Sequence, residues 1–171
     1  MENDVVVVGL GNPGFRYENS LHNVGFKVVE RLAAKRKWPW KEEGRHQALI
    51  AKGDEGGFTY HLLKPLTFMN LSGEAVRSYL SWTKLPVESL IIVVDDADLP
   101  LGTVRVRDSG GDGGHNGLKS VKHELGTDQY KRVRIGIGRD PILPLADFVL
   151  KHQDETFWSS FNPALDQAVN V

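Results

Sequence analysis

Five polar residues stand beside glycines or at the ends of apolar runs: Asn12, His22, Asn70, Asp95 and Asn116. They supply one base, one carboxylate to orient it, and three amides able to hold a neutral polar substrate. A neutral imidazole can accept a proton near pH 7. A carboxylate fixes the imidazole tautomer and favours the imidazolium as it forms. An Asn side chain offers a donor and an acceptor together, so it can pin an amide or orient a water. Singly, each has an ordinary reading, since Asn and Asp favour turns and caps and a lone histidine commonly serves the core. The set as a whole points to a site.

Other motifs compete with that set. Gly9, Gly11 and Gly14 spell G-x-G-x-x-G after "VVVV", the spacing of a dinucleotide-binding loop. In such a loop the helix starts inside the glycine motif so that its N-terminus meets the phosphates. Here Pro13 and "FRYENSLH" intervene, and Glu30 falls within the next helix instead of closing a second strand. The glycines therefore shape a tight polar loop at the C-terminal end of the first strand, where open α/β sheets place ligands. "DSGG" at 108–111 echoes a serine-protease nucleophile loop, but that chemistry needs a two-barrel, mostly β architecture. Ser109 reads as a turn residue. The six histidines show no tight ligand spacing, so no metal site is expected.

The elements that must position the polar set alternate in type. Strands are predicted at Val5–Gly9, Gln47–Lys52, Phe58–Lys64, Leu90–Asp95, Thr103–Arg107 and Val133–Gly138. Helical stripes run through Gly25, Val28, Val29, Leu32 and Ala33, and through Val76, Tyr79 and Leu80 with Ser72 as cap. A third helix is predicted from Asn116 to Leu125 with Gly126 as its stop, and a fourth from Pro163 to Val171. The pattern implies a three-layer α/β fold over residues 1–171 as a single domain, with a twisted, mixed, mostly parallel sheet and helices on both faces. With 171 residues, 40% hydrophobic and 25% charged, the chain can bury a sizeable core. It has no cysteine, which excludes disulfides and thiolate chemistry and fits a reducing cytoplasm. No apolar run approaches the roughly 18 residues of a membrane span. Net charge is −1, yet residues 105–139 hold eight basic side chains against four acidic ones. Such a patch suits an anionic partner gripped in one place.

"VGLGNPGFRYENSLHNVGF", "KPLTFMNLSG", "VVDDADLPLG", "GGDGGHNGLKS" and "RVRIGIGR" closely resemble, in order and spacing, the bacterial-type peptidyl-tRNA hydrolase family. The resemblance covers about residues 4–150. It implies a monomeric α/β hydrolase of the cytoplasm that cleaves the ester between a nascent peptide and the terminal ribose of tRNA, without metal or cofactor. By the same resemblance His22, Asp95 and Asn12 are catalytic. Tyr17, Met69, Asn70, Gly113, His115 and Asn116 contact the substrate, and Arg105, Arg107 and Arg134 bind tRNA. Two departures stand out. Asp112 puts a negative charge where the family is often not acidic, and the chain stops short of the usual family terminus, which carries a further helix and tail near the substrate channel. A plant plastid relative that acts in intron splicing as an RNA-binding protein is the alternative implied by the same resemblance.

Overall fold

The run Val5–Val8 faces apolar neighbours on both sides. Val7 packs in one buried cluster and Val6 and Val8 in another, as expected for a strand covered by helices on both faces. The computed structural model describes residues 3–139, 142–151 and 153–169, with side chains as far as 164 in the last helix. Its strands are β1 (Asp4–Gly9), β2 (Lys41–Glu43), β3 (Ala48–Glu55), β4 (Phe58–Pro65), β5 (Leu90–Asp96), β6 (Val104–Arg107) and β7 (Lys131–Gly136). They form one sheet in the order β2-β3-β4-β1-β5-β7-β6. The central β4, β1, β5 and β7 are parallel. β3 and β6 run antiparallel to them, and β2 antiparallel to β3.

The helices are α1 (Val24–Arg36), α2 (Ser72–Thr83), α3 (Asn116–Leu125), α4 (Leu145–Val149) and α5 (Glu155–Val169). α1 and α5 cover one face through Val24, Val28, Val29, Trp158 and Phe161. α2 and α3 cover the other through Val76, Tyr79, Leu80, Leu118 and Val121. The three-layer α/β architecture with a mixed, largely parallel sheet is thus observed. The chain leaves β1 towards β4 and leaves β5 towards β7, so the two adjacent strands are a topological switch point, where such sheets open a crevice at their C-terminal ends.

Gly9 and Gly11 of the glycine motif serve packing, whereas Gly14 supplies a positive φ of 101. A Cβ on Gly9 would collide with the Gly25 carbonyl, and one on Gly25 would strike Leu10 and the Val93 carbonyl of β5. These two glycines let the start of α1 press directly onto β1 and β5. Glu30 lies in α1 and pairs with Lys64 at 2.9 Å.

Three expectations are corrected. Ser72 is the first residue of α2 instead of its cap, and its hydroxyl donates back to the Met69 carbonyl at 2.8 Å. β7 starts and ends two residues earlier than predicted because its register is set by pairing with β5 and β6. α5 begins at Glu155, with Pro163 inside it, because Asp154 caps its first turn by accepting from the Phe157 N–H at 2.9 Å. The predicted end at Val171 lies outside the described residues.

Candidate active site

His22 sits in a single 3-10 turn, Leu21–Asn23, that leads straight into α1. Asn23 clamps this turn to the glycine loop. Its Oδ1 accepts from the Asn12 backbone N–H at 2.7 Å, and its Nδ2 donates to the Asn12 carbonyl at 2.8 Å. A second tie comes from the C-terminal segment, where the Lys151 carbonyl accepts from the Leu21 N–H at 3.3 Å.

Asp95 comes from the C-terminal end of β5 and is buried. His22 Nδ1 donates to its two oxygens at 3.0 and 2.9 Å. Among the described residues no protein group bonds His22 Nε2, so its lone pair stays available. His115 Nε2 lies 2.7 Å from Asp95 Oδ1. The network fixes that tautomer. His115 caps α3, its Nδ1 accepting from the backbone N–H groups of Gly117 and Leu118 at 3.1 and 3.3 Å, so its proton resides on Nε2. Burial alone would raise the Asp95 pKa, but the two imidazoles outweigh it and hold the carboxyl well below the usual carboxylate range. Asp95 is therefore a fixed anion.

The ligand-capable atoms of His22, Asp95 and His115 lie within 4.8 Å of one another. Sequence spacing did not reveal this grouping, because the three come from separate elements. Its donor chemistry suits hydrogen bonding better than metal ligation. A metal on His115 Nε2 would force the proton onto Nδ1, against two backbone donors that already point there.

Of the residues expected in the site, His22, Asp95, Gly113, His115, Asn116 and Arg134 line one cleft. Asp96, Asp98, Arg139 and the α4 residues Leu145, Ala146 and Val149 line it too and were not anticipated. α4 is a single short turn after Pro144, too brief to show a periodic signal. Arg134 is tethered by Asp96 Oδ2 at 3.3 Å and by the Gly111 carbonyl at 3.0 Å.

Asn12, Tyr17, Met69 and Asn70 are not among the residues lining that cleft and gather instead at the segment 67–70. Asn12 is buried and its Oδ1 accepts from the Met69 N–H at 2.7 Å. It holds the loop that presents the exposed Asn70, and its hydrogen bonds go to Asn23 and Met69. Met69 is buried against Leu10 and the start of α3, where a Cβ on Gly117 would collide with its sulfur. The Tyr17 ring meets Phe68 edge-on at 6.2 Å. Phe68 has φ 65 and ψ 157, a conformation that glycine adopts readily and other residues seldom do. Such strain, next to Met69 and Asn70, is typical of functional loops. Arg105 and Arg107 stand exposed on the edge strand β6, with Arg105 directly opposite Arg134.

A histidine steered by a buried carboxylate, its second nitrogen without a partner among the described residues, at the switch point of an α/β sheet, has the geometry that general-base chemistry requires. Residues 6–171 match the family model of peptidyl-tRNA hydrolase, and the chain belongs to that family. It is 46% identical over 166 residues to the peptidyl-tRNA hydrolase of Syntrophomonas wolfei, covering 97% of this chain and 90% of the other. It is 44% identical over 164 residues to that of Geobacillus kaustophilus, covering 95% and 85%. The crystal structure of peptidyl-tRNA hydrolase from Acinetobacter baumannii superposes with a TM-score of 0.91 at 34% identity, covering 99% of this chain and 87% of that one.

Proposed function

We propose that the protein hydrolyses the ester joining a peptide, or an N-blocked amino acid, to the terminal ribose of tRNA. The observation that carries the mechanism is the His22–Asp95 pair lining the cleft with Nε2 unoccupied. His22 Nε2 takes a proton from a water as that water attacks the ester carbonyl. Asp95 stabilises the imidazolium that forms, and the proton then passes to the departing ribose oxygen. His115 keeps Asp95 in place. The exposed amides of Asn70 and Asn116 hold the peptide amide next to the ester. This chemistry calls on no cofactor and no metal.

Arg105, Arg107 and Arg134 meet tRNA phosphates, which are common to all tRNAs and so allow many to be accepted. One chain supplies every group in the scheme, which supports a monomer as the acting unit. Its substrate arises where translation runs, which supports a cytoplasmic activity. Among the described residues no helix is long and apolar enough to cross a membrane. The hydrolase names of the relatives favour ester cleavage over the RNA-binding alternative.

The test is incubation with N-acylated aminoacyl-tRNA and, in parallel, aminoacyl-tRNA with a free amine. Release of the N-acyl amino acid, with the free-amine substrate largely spared, is expected. A free ammonium buried without a carboxylate partner is costly, and the amide-holding groups would go unpaired. Equal cleavage of both would contradict the proposal, and RNA binding without cleavage would favour the splicing-type relative.

A further inference from the structure

Arg132, on β7, is the largest fully buried side chain of the described residues. None of their carboxylates lies within ion-pairing distance of it, and its Nε has no partner. A cation buried without a counter-ion is expensive, so its remaining contacts carry the reason for its presence. Nη1 donates to the Gly111 carbonyl at 3.2 Å, and Nη2 donates to the Asp128 carbonyl. The guanidinium lies 4.3 Å over the Tyr130 ring. Gly111 precedes α3 and Asp128 follows it. One planar fork therefore ties both chain segments flanking α3 to the sheet.

From Gly111 the chain turns over Asp112, whose Oδ1 accepts from the Gly114 N–H at 2.8 Å and whose carbonyl accepts from the His115 N–H at 2.9 Å. His115 then donates to Asp95, which orients His22. The neighbouring Arg134 shares the Gly111 carbonyl but is half-buried, paired with Asp96 and present in the cleft. Arg132 is sealed from solvent and cannot reach a substrate.

We infer that Arg132 is a positioning residue, which sets the place of His115 against Asp95, and so the orientation of His22, by holding the Gly111 and Asp128 carbonyls together. The inference rests on the catalytic reading of His22 and Asp95. A lysine would not substitute, because a single ammonium lacks the fork that spans two carbonyls.

The test is Arg132→Met in the full chain, assayed on N-acylated aminoacyl-tRNA and on a short N-acylated ester lacking the tRNA body. The expected result is a kcat lowered by about 10- to 100-fold on both substrates, the range seen when supporting contacts of a site are lost. The salt dependence of tRNA binding stays unchanged, because no phosphate contact is removed. Arg132→Lys fails to rescue. Wild-type kcat in folded Arg132→Met, or full rescue by lysine, overturns the inference. So does a shallower salt dependence with the short ester unaffected, which would make Arg132 a phosphate contact.

Should Arg132→Met fail to fold, hydrogen exchange in Arg132→Lys decides. Faster exchange at the Gly114 and His115 amides, with β1 and β5 unchanged, is expected, and wild-type protection there overturns the inference. Exchange needs no turnover. A catalytically silent His22→Ala exchange would therefore sink the mechanism alone, whereas an unperturbed loop would sink the positioning role alone.

Discussion

Two buried histidines of this chain each pair with a carboxylate and lie beside a second polar ring, at different levels of the same sheet. At the C-terminal ends of the strands, Asp95 joins His22 and His115. Near the start of β1, Asp4 accepts from His61 Nε2 at 2.8 Å, and His61 Nδ1 bonds the Tyr79 hydroxyl. The residue types are nearly the same, yet the free valence differs. His61 spends both ring nitrogens inside the protein, whereas His22 spends one and lines a cleft. Tyr79 is locked as well, with burial first and then the Asp4 and Glu43 charges pushing its hydroxyl up to about 12. An Asp–His pair is thus not in itself a site. The site is the pair whose second nitrogen faces an opening.

Replacing each histidine breaks or sharpens that contrast most strongly. His22→Ala should lower kcat by about 10²-fold or more with the thermal transition retained, since general-base assistance has that worth. His61→Ala should leave kcat of the folded protein close to wild type and instead lower stability by about 1–3 kcal/mol, the cost of leaving buried partners unsatisfied. Steady-state kinetics beside denaturant titration separates the two, and a reversal of these effects would exchange the roles assigned.

The carboxylates should divide in the same way. Asp95→Asn disturbs the His22 tautomer and should reduce kcat by about 10²- to 10⁴-fold. Asp4→Asn should act on stability alone. The His61 hydrogen bond, opposed by desolvation, lowers the Asp4 pKa in the folded state. A depressed folded pKa gives stability that is complete above the ordinary carboxylate value and is lost as pH falls through the folded value. The wild-type advantage over Asp4→Asn should therefore be present at pH 7 and shrink below about pH 4. Unfolding titrations at both pH values check the sign.

Arg105→Ala and Arg107→Ala should each lower the slope of log affinity against log salt by about one unit, with the short ester cleaved at the wild-type rate. Equal losses on both substrates would make these arginines structural. At the alkaline end, the raised Tyr79 value means that its neutral form favours the fold below about pH 10, a contribution lost as pH climbs towards 12. Tyr79→Phe should flatten alkaline unfolding in that window. The smallest expected effect is none at all, from chelation. Cleavage of the short ester should persist in excess chelator, whereas loss with recovery on adding zinc would turn the His22–Asp95–His115 cluster into a metal centre.

Legibility followed length and periodicity. β1 was plain because four consecutive valines suit a strand covered on both faces, and α3 because Gly126 ends it in a left-handed turn at φ 72. β2 was not, since Lys41–Glu43 is wholly charged and is a strand only by pairing with β3. The start of α5 is not legible in the sequence, where Pro163 resembles a first helical residue, because it depends on the cap at Asp154 and on the burial of Trp158 and Phe161 on the α1 face. Asn23 carried a faint signal as the neighbour of His22, but its clamp on Asn12 closes over eleven residues through side-chain geometry that composition does not encode.

By itself the sequence determined the alternating architecture and the family, and it singled out His22 and Asp95 as the candidate base and carboxylate, because apolar period and contiguous motif blocks are local properties of the chain. Tertiary structure alone decided which histidine keeps a free nitrogen, that His115 braces Asp95, that Asn12 supports the Met69 loop, and that Arg132 is buried behind the site. The reason is physical. A hydrogen-bonding side chain has a fixed number of donors and acceptors, and which are spent depends on partners that the fold brings together from distant parts of the chain.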